Sequence, residues 1–458
     1  MAEKQVFNMR EEFSGLDLNS SRLDKRFIMT MSKLSEQPDK SIWSSSENRA
    51  EAKAIYRMLN NDKLDLDKIL RTHKEATFNR MLKEERTVLA IQDTTSLNYN
   101  THKKTEGIGY ISSNTLGVNI HSCIAVSTDG LVLGVLDQMS YNREEAKNTS
   151  LSKCAKKRRD LEEKESFRWL ESLRKSMDSI PESVKVINIC DREGDMYELL
   201  DFAESIGQLL LIRIAQNRIT TDNQRVLDAI KTKKYVSKVK ITLPRDSKNV
   251  EKSRDSIFEI RCCSFEIKCP KILCKRAGLK ASHSIFVIYA KEEPPLAGSE
   301  PIEWFLMTNE VLSTVEDAIK RVYYYSHRWK IERFHYVLKS GCNVEKLQER
   351  SIDKTVILVL MYSIISVFIM NLTYVARIHP KMSCDVFFND DEWKLLYCVA
   401  NKTKEVPSES YSIEDAVRYL SYLGGPKRSP SDGPPGLKCI WIGLNRFNTL
   451  LTFREWLV

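Results

Sequence analysis

The amino-acid sequence predicts an α/β protein with a mixed central sheet, flanked by helical regions at both ends of the chain. Short apolar runs of strand length follow one another between residues 87 and 136 without an intervening helix, so at least two of these strands pair antiparallel. Between residues 184 and 214 the order is strand, helix, strand, which is the order of a parallel pair. A later segment, 231–300, contains alternating β-branched runs and no helix. The residues before 75 and after 341 have helical patterns.

The composition is that of a globular protein with a basic balance. The chain has 458 residues, of which 42% are hydrophobic and 29% are charged, and this length predicts two to four domains. It carries 71 Lys and Arg against 62 Asp and Glu, for a net charge of +9. This balance suits a polyanionic partner such as DNA or RNA, although many soluble enzymes share it.

Cysteine usage and hydropathy indicate an intracellular protein. The 11 cysteines have no spacing typical of a disulfide framework, and no signal peptide precedes the polar start, so reduced thiols are expected. The most apolar stretch, 356–370, is about fifteen residues long and includes Tyr362, Ser363 and Ser366, whereas a membrane span needs roughly 20 residues. We therefore expect a buried core helix there and no membrane association.

The first 75 residues have the pattern of short helices with basic side chains. Arg22 and Arg26 are four residues apart and so share a helix face, and Arg57 lies on a second segment, 47–59. A small helical DNA-binding module and a solvated helical cap both fit this pattern.

Two charged regions interrupt the strands of the central part. The tract 142–165 contains Lys156 to Arg159, and it suits either a solvated loop leading into a helix or a basic patch that contacts phosphates. The runs within 231–300 are joined by turns rich in Lys, Arg and Ser, and they predict an inserted antiparallel β subdomain. Its four cysteines lack paired C-x-x-C spacing, which argues against a zinc site. A strand at 302–307 follows the insertion.

The segment from Ser313 to Gly341 is predicted to be one long helix. Ser313 and Glu316 have the spacing of a capping box, and Gly341 is a typical helix stop. At about 100° per residue, four polar side chains fall on one narrow stripe of this helix, hereafter the polar stripe: Tyr325, Arg328, Glu332 and Lys339. On periodicity alone, a solvated face with ordinary ion pairs also explains the polar stripe.

Three acidic residues give this stripe a chemical interpretation. Asp93 and Asp191 each follow an apolar strand, where open mixed sheets gather their ligands, although either one alone also fits a helix or turn cap. Together with Glu332 they form the acidic set that two divalent metal ions need for phosphodiester cleavage. Hard oxygen ligands bind Mg²⁺, and paired ions stabilise the attacking and leaving oxygens of an in-line displacement.

The motifs around these residues resemble those of the DDE transposases of insertion-sequence family four. The polar stripe matches the family's Y-R-E-K signature with all spacings intact, and two further motifs carry the aspartates: Ile91-Gln-Asp93 and Cys190-Asp191-Arg-Glu-Gly-Asp195. The resemblance extends over nearly the whole chain, since Arg26 and Arg57 lie in a region similar to the family's N-terminal end-binding module. Leu423-Gly-Gly, with Trp441, is similar to its C-terminal part.

The resemblance implies a ribonuclease-H-like core and cut-and-paste DNA transposition. In that scheme a nick at a transposon end frees a 3′-hydroxyl, which attacks the opposite strand to form a hairpin. The hairpin opens before strand transfer into target DNA. Asp93, Asp191 and Glu332 are then the catalytic residues and the ligands of two Mg²⁺ ions, for which Mn²⁺ can substitute.

The resemblance also implies specific DNA contacts. Tyr325, Arg328 and Lys339 are expected to contact phosphates near the scissile end, a role that suits two cations and a phenol. Trp304 is the expected stacking surface for a terminal base, with a core tryptophan as the alternative. Arg213 is expected near the active site.

The expected organisation has five parts. They are a helical end-binding domain at 1–75, the catalytic core at 76–230 and 301–372, the insertion at 231–300, and a helical dimerisation and DNA-contact domain at 373–458. Arg26 and Arg57 are expected to bind transposon ends. The expected partners are terminal inverted repeats, target DNA and a second copy of the chain, in a prokaryotic cytoplasm.

Two other functions remain open on the sequence. A domesticated DNA-binding protein would bind transposon ends without cutting them, and a ribonuclease-H-like nuclease would cut ends without joining them to a target. The intact acidic set and polar stripe argue against the first.

Overall fold

The computed structural model describes residues 8–83, 87–143, 164–243, 254–274, 278–295, 300–426 and 433–457. Within these ranges, helices cover both faces of one large mixed sheet, so the predicted α/β class is confirmed. The basic run Lys156 to Arg159 lies outside the described residues.

The chain begins with helices that pack side by side ahead of the sheet. They are α1 (Met9–Glu12), α2 (Ser21–Glu36), α3 (Ile42–Ser45), α4 (Arg49–Leu59) and α5 (Leu66–Lys83). Asparagine caps begin two of them, because the side chains of Asn8 and Asn48 accept hydrogen bonds from backbone N–H groups of the first turn. In α2, Leu23, Phe27 and Met31 recur at helical spacing and are buried.

The strands of the described ranges form one ten-stranded sheet. They are β1 (Thr87–Asn98), β2 (Gly109–Tyr110), β3 (Leu116–Ser127), β4 (Val132–Tyr141), β5 (Lys185–Cys190), β6 (Leu209–Arg213), β7 (Ser237–Leu243), β8 (Arg254–Lys268), β9 (Ser282–Glu292) and β10 (Glu303–Thr308). Their order is β2-β3-β1-β5-β6-β10-β9-β8-β7, and β4 also pairs with β3. The β1–β5 and β5–β6 pairs are parallel, and the others are antiparallel. The predicted change from antiparallel to parallel pairing is therefore present.

The insertion is continuous with the core sheet. Strands β7, β8 and β9 pair antiparallel, as predicted. β9 also pairs with β10, from Phe286 opposite Thr308 to Lys291 opposite Glu303, while β6 pairs with the other side of β10. Both sides of β10 are thus engaged in backbone hydrogen bonding, which a strand inside a sheet requires.

Two hydrophobic cores lie on opposite faces of the sheet. Helices α6 (Phe167–Met177), α7 (Tyr197–Ser205) and α8 (Val226–Thr232) form one core around the fully buried Trp169. The N-terminal helices and α11 (Ile352–Ile378) belong to the other core. Leu210 and Ile212 of β6 contribute to the first core and Leu211 to the second, as alternation along a strand dictates.

Helix α11 is a core helix. By length and composition it is long and apolar enough to cross a membrane, but 83% of its most apolar window is buried inside the protein. The side chain of Asn371 on this helix donates a 2.9 Å hydrogen bond to the carbonyl of Val132 in β4. The prediction of a buried core helix at 356–370 is therefore confirmed.

The C-terminal helices α12 (Asp390–Asn401), α13 (Ile413–Gly424) and α14 (Leu437–Leu457) complete the chain. Two glycines let α13 and α14 approach closely. A Cβ atom added at Gly443 would lie 1.9 Å from the carbonyl oxygen of Leu420, and one at Gly424 would lie 1.8 Å from that of Cys439. Any larger residue at either position would force the two helices apart.

The segment predicted as one helix over 313–341 is divided. It forms α9 (Val315–Ser326), α10 (Trp329–Tyr336) and a wider turn at Val337–Gly341. The division has a tertiary cause, because the ring of His327 lies 3.0 Å from the carbonyl oxygen of Thr128 and the backbone tightens around it. The predicted capping box is also wrong by one residue: Thr314 and Asp317 form it.

A buried charged cluster fixes the N-terminal helices to the sheet. Glu12 accepts two hydrogen bonds from Arg80, at 2.7 and 2.9 Å, and lies 2.5 Å from Nδ1 of His73. Arg80 donates to the carbonyl of Leu133, and Nε2 of His73 accepts from the backbone N–H of Val135, both in β4. Burial alone raises the pKa of Glu12, but His73 and Arg80 outweigh it and lower this pKa to about 2.

We expect Glu12→Ala to lower the free energy of unfolding by about 3–5 kcal/mol, since it removes the buried carboxylate that pairs with Arg80. Urea denaturation measures this change, and Glu11→Ala on the exposed side of α1 is the control. Because the pKa of Glu12 is lowered, wild-type stability should fall as the pH drops from 4.5 towards 2, and the variant should lack this component. Equal effects of the two variants would contradict the anchoring role.

Candidate active site

The parallel pairing of β1 and β5 brings two aspartates together. Ile91 of β1 lies opposite Ile189 of β5, where the paired register ends. Asp93 and Asp191 each follow two residues later, so the same register, continued, places them side by side. Asp93 ends the apolar run of β1 but not the strand, because β1 remains paired with β3 as far as Asn98.

Backbone N–H groups orient both carboxylates. Oδ1 of Asp93 accepts a 2.7 Å hydrogen bond from the backbone of Thr94. Oδ1 of Asp191 accepts one of 2.7 Å from the backbone of Glu193, and Asp191 thereby caps a short helical turn. The capping role that the sequence allowed for Asp191 is thus present alongside its position near Asp93.

Arg328 lies between the carboxylates of two different elements. Its Nη2 donates a 2.7 Å hydrogen bond to Oε1 of Glu332 on α10, and its Nη1 lies 4.0 Å from Oδ2 of Asp93. Within the polar stripe, Tyr325 and Arg328 are turned towards the sheet, at 3% and 9% exposed, whereas the side chains of Glu332 and Lys339 are 36% and 32% exposed. This excludes the interpretation of the stripe as an ordinary solvated face.

The environment of Asp93 raises its pKa to about 7. Burial is the largest cause, and the nearby charges of Asp191 and Glu332 raise the pKa further. The hydrogen bond from Thr94 and the charge of Arg328 oppose the rise. Near neutral pH the Asp93 carboxyl can therefore lose its proton when a cation binds close to it.

The donor chemistry of the site fits a divalent cation. Three carboxylates supply hard oxygen ligands. Burial and, to a smaller extent, the charges of Asp191 and Glu332 raise the pKa of Asp93, and a bound cation would offset both. In the part of the chain that the structure describes, no three His, Cys, Asp or Glu side chains are grouped closely enough to hold a metal ion. At this site, Glu332 pairs with Arg328.

Tyr325 lies near Asp191, and Arg213 and Trp304 lie beside Tyr325. Burial raises the pKa of Tyr325, and the charges of Arg328 and Arg213 oppose the rise. Arg213, the last residue of β6, donates to the carbonyl of Glu303 at 3.2 Å. The ring of Trp304 stacks on Phe258 at 5.2 Å, meets Tyr325 edge-on at 5.6 Å, and is only 5% exposed. In this conformation Trp304 packs as a core tryptophan, and its role in stacking a base stays a prediction.

The remaining predicted residues occupy three places. Nζ of Lys339 donates a 2.8 Å hydrogen bond to the carbonyl of Ser96 in β1 and lies 3.6 Å from Glu345. Arg26 lies on α2, partly buried, and Arg57 is exposed on α4. These two arginines belong to the N-terminal helices and are not among the charges that act on Asp93.

Sequence reasoning missed Arg168, although it reaches the residues next to both aspartates. Its Nε donates to Oγ1 of Thr94 at 3.0 Å, and its Nη2 donates to Glu193. No local pattern marks Arg168, since it is one of many charged residues at the end of a charged tract. Asp195 ends the motif that begins at Cys190, and the sequence did not predict a role for it. In the structure its side chain accepts hydrogen bonds from the backbone N–H groups of Ala215 and Gln216.

Comparison with known proteins gives three family matches. The model described as transposase DNA-binding matches residues 8–64, the transposase DDE domain matches residues 120–368, and the transposase Tn5 dimerisation domain matches residues 364–454. The DDE match contains Asp191 and Glu332 and begins after Asp93. A cryo-EM structure of a piggyBac transposase synaptic complex with hairpin DNA aligns with 97% of this chain and 82% of that one, at 10% identity and a TM-score of 0.35.

Asp93→Asn should stabilise the metal-free protein at about pH 8.5, by on the order of 2 kcal/mol. The pKa of Asp93 is raised from 3.8 to about 7 by folding, so its contribution to stability is full below pH 3.8 and is lost as the pH rises to about 7. Asn keeps the shape without the charge. Urea denaturation in EDTA at about pH 4 and pH 8.5 measures the effect, with the exposed Asp62→Asn as control. A gain of the same size at both pH values would contradict the assignment.

Proposed function

Because this chain belongs to the DDE transposase family, whose model matches residues 120–368, we propose that it catalyses cut-and-paste transposition. DDE transposases cut DNA and transfer strands with divalent metals. The proposed steps are end cleavage, attack of the freed 3′-hydroxyl on the opposite strand to form a hairpin, hairpin opening and strand transfer. A homodimer on paired terminal inverted repeats is the proposed active form, and the DNA-binding and dimerisation matches at the two ends support it.

The observation that carries this proposal is the convergence of acidic residues at one end of the parallel strand pair. Asp93 and Asp191 come from adjacent strands, and Glu332 on α10 is connected to Asp93 through Arg328. We propose Asp93, Asp191 and Glu332 as the catalytic carboxylates and as ligands of Mg²⁺, with Mn²⁺ able to replace it. When bound, the cation supplies Lewis-acid stabilisation of the attacking and leaving oxygens.

The chain's own residues position the DNA around this site. A guanidinium has five N–H donors, and Arg328 donates one hydrogen bond to Glu332 while Asp93 lies 4.0 Å away, so Arg328 has donors to offer a phosphate. Lys339 and the phenol of Tyr325 complete the phosphate contacts. Arg213 adds positive charge beside Tyr325.

Two further contacts belong to the ends of the DNA substrate. Arg26 and Arg57 bind the terminal repeat on the N-terminal helices, where phosphate contacts fix the register of a bound duplex. Trp304 stacks a terminal base during hairpin formation. That role requires the ring to separate from Phe258, on which it stacks in the DNA-free protein.

The test uses purified protein with a labelled duplex that carries the inverted repeat flanking the gene. We expect Mg²⁺-dependent nicking, a hairpin product and joining to a target plasmid. Asp191→Asn and Glu332→Gln should each reduce cleavage by roughly a thousandfold or more, while gel-shift affinity for the end stays unchanged. Glu316→Gln, at an exposed position on α9, is the matched control and should cleave like wild type.

The other outcomes separate the competing functions. End binding without cleavage, even in Mn²⁺, would indicate a domesticated DNA-binding protein. Cleaved ends that never join the plasmid would indicate a nuclease. Appreciable cleavage by Glu332→Gln would remove Glu332 from the catalytic set.

A further inference from the structure

Arg168 connects the two segments that carry the proposed catalytic aspartates. It lies in the first turn of α6, and its side chain is 12% exposed. Its Nε donates a 3.0 Å hydrogen bond to Oγ1 of Thr94, and its Nη2 donates one of 2.5 Å to Oε2 of Glu193. Nη1 donates to the carbonyl of Glu165. One guanidinium thus contacts a residue of β1 and a residue that follows β5.

The two contacted residues are the ones that orient the aspartates. The backbone N–H of Thr94 donates to Asp93, and the backbone N–H of Glu193 donates to Asp191, each at 2.7 Å. An unbroken series of hydrogen-bonded residues therefore connects Asp93 to Asp191 through Thr94, Arg168 and Glu193. We call these three intervening residues, Thr94, Arg168 and Glu193, the arginine bridge.

The arginine bridge lies beyond the point at which backbone hydrogen bonds pair β1 with β5. The paired register of β1 and β5 ends at Ile91 and Ile189, two residues before the aspartates. Beyond that point the β1–β5 ladder does not set the distance between Asp93 and Asp191. The guanidinium is planar, and its donors have a fixed geometry, so it holds its two partners at a defined separation.

A buried hydrogen-bond chain fixes the Thr94 side of the bridge. Oγ1 of Thr94 lies 2.8 Å from Nδ1 of His121, whose Nε2 lies 3.3 Å from Oε1 of Gln92. Burial lowers the pKa of His121 well below its ordinary value, so the ring is neutral. The consistent assignment is that Thr94 accepts from Arg168 and donates to Nδ1, while the Nε2–H donates to Gln92.

The two sides of the bridge differ in exposure. The side chain of Glu193 is 63% exposed, and an exposed ion pair contributes about 0–1 kcal/mol. Thr94 is partly buried between β3 and α6 and has a second partner in His121. The Thr94 side should therefore dominate the effect of Arg168 on the site.

We propose that Arg168 is a positioning residue that sets the separation of Asp93 and Asp191, and thereby the affinity of the site for a divalent cation. The inference rests on the proposed function, since it takes these aspartates as the cation ligands. Residues that orient metal ligands typically change metal affinity by about 10–100-fold when they are replaced. Loss of the bridge should therefore weaken cation binding without removing any ligand.

The test measures Mn²⁺ binding to the DNA-free protein by isothermal titration calorimetry, with Asp93→Ala defining the background. We expect Arg168→Met to raise the dissociation constant about 10–100-fold, and Arg168→Lys to give an intermediate value because it keeps the charge with one donor group. Thr94→Val should reproduce Arg168→Met. Glu193→Gln should have an effect of about fivefold or less. Arg174→Met, exposed on the same helix, should match wild type.

Cleavage kinetics provide the second readout. In Arg168→Met, the Mn²⁺ concentration for half-maximal end cleavage should rise by the same factor, and the rate at saturating Mn²⁺ should stay close to wild type. Thermal unfolding and end binding should not change. Thr94→Val keeps the inference testable if Arg168→Met fails to fold.

The outcomes separate this inference from the proposed function. Wild type that neither binds Mn²⁺ above background nor cleaves overturns the proposed function and this inference with it. If wild type binds and cleaves, unchanged Mn²⁺ affinity in folded Arg168→Met or Thr94→Val overturns the positioning role alone. Weakened end binding with unchanged Mn²⁺ affinity would make Arg168 a phosphate contact and would also overturn it.

Discussion

The electrostatics of the site follow from the point at which β1 and β5 stop pairing. Parallel strands lie about 4.8 Å apart, and Asp93 and Asp191 each come two residues after the last paired residues, Ile91 and Ile189, so both lie at the same end of the strand pair. Burial is the largest cause of the raised pKa of Asp93, and the nearby charge of Asp191 raises it further. The fold thus creates a concentration of negative charge that its own residues offset only in part.

The surrounding groups show how that charge is offset in the absence of ligands. Backbone N–H groups of Thr94 and Glu193 each bind one carboxylate, and Arg328 lies between Asp93 and Glu332. Even so, the pKa of Asp93 remains near 7, so these groups do not compensate fully for burial and repulsion. Functional sites often lower the stability of the free protein in this way. In this family a divalent cation would supply the missing positive charge.

Local patterns in the sequence predicted the helices and strands and pointed to the acidic residues. The features that the sequence did not predict depend on contacts between segments far apart in the chain. Strand runs can be read locally, and they placed Asp93 and Asp191 on strands of one mixed sheet. That these two strands are neighbours is seen only in the structure. Helical periodicity gave the relative directions of Tyr325, Arg328 and Glu332, but it could not tell whether the stripe faces solvent or the sheet.

The errors have the same origin. The division of the helix near His327 depends on Thr128, and the role of Arg168 depends on Thr94, 74 residues earlier in the chain. Such contacts leave no periodic signal, because each joins two segments whose own patterns are ordinary.

The N-terminal helices are coupled to the site by the same kind of long-range polar contact. Arg80 and His73 bind the backbone of β4, β4 pairs with β3, and Ser122 of β3 lies directly opposite Asp93. Since Glu12 on α1 is buried against Arg80 and His73, a shift of α1 relative to β4 would leave a buried charge unpaired, which is costly. DNA held by the N-terminal helices would therefore be positioned against the carboxylates by a rigid path through the protein, and not by the linking chain alone.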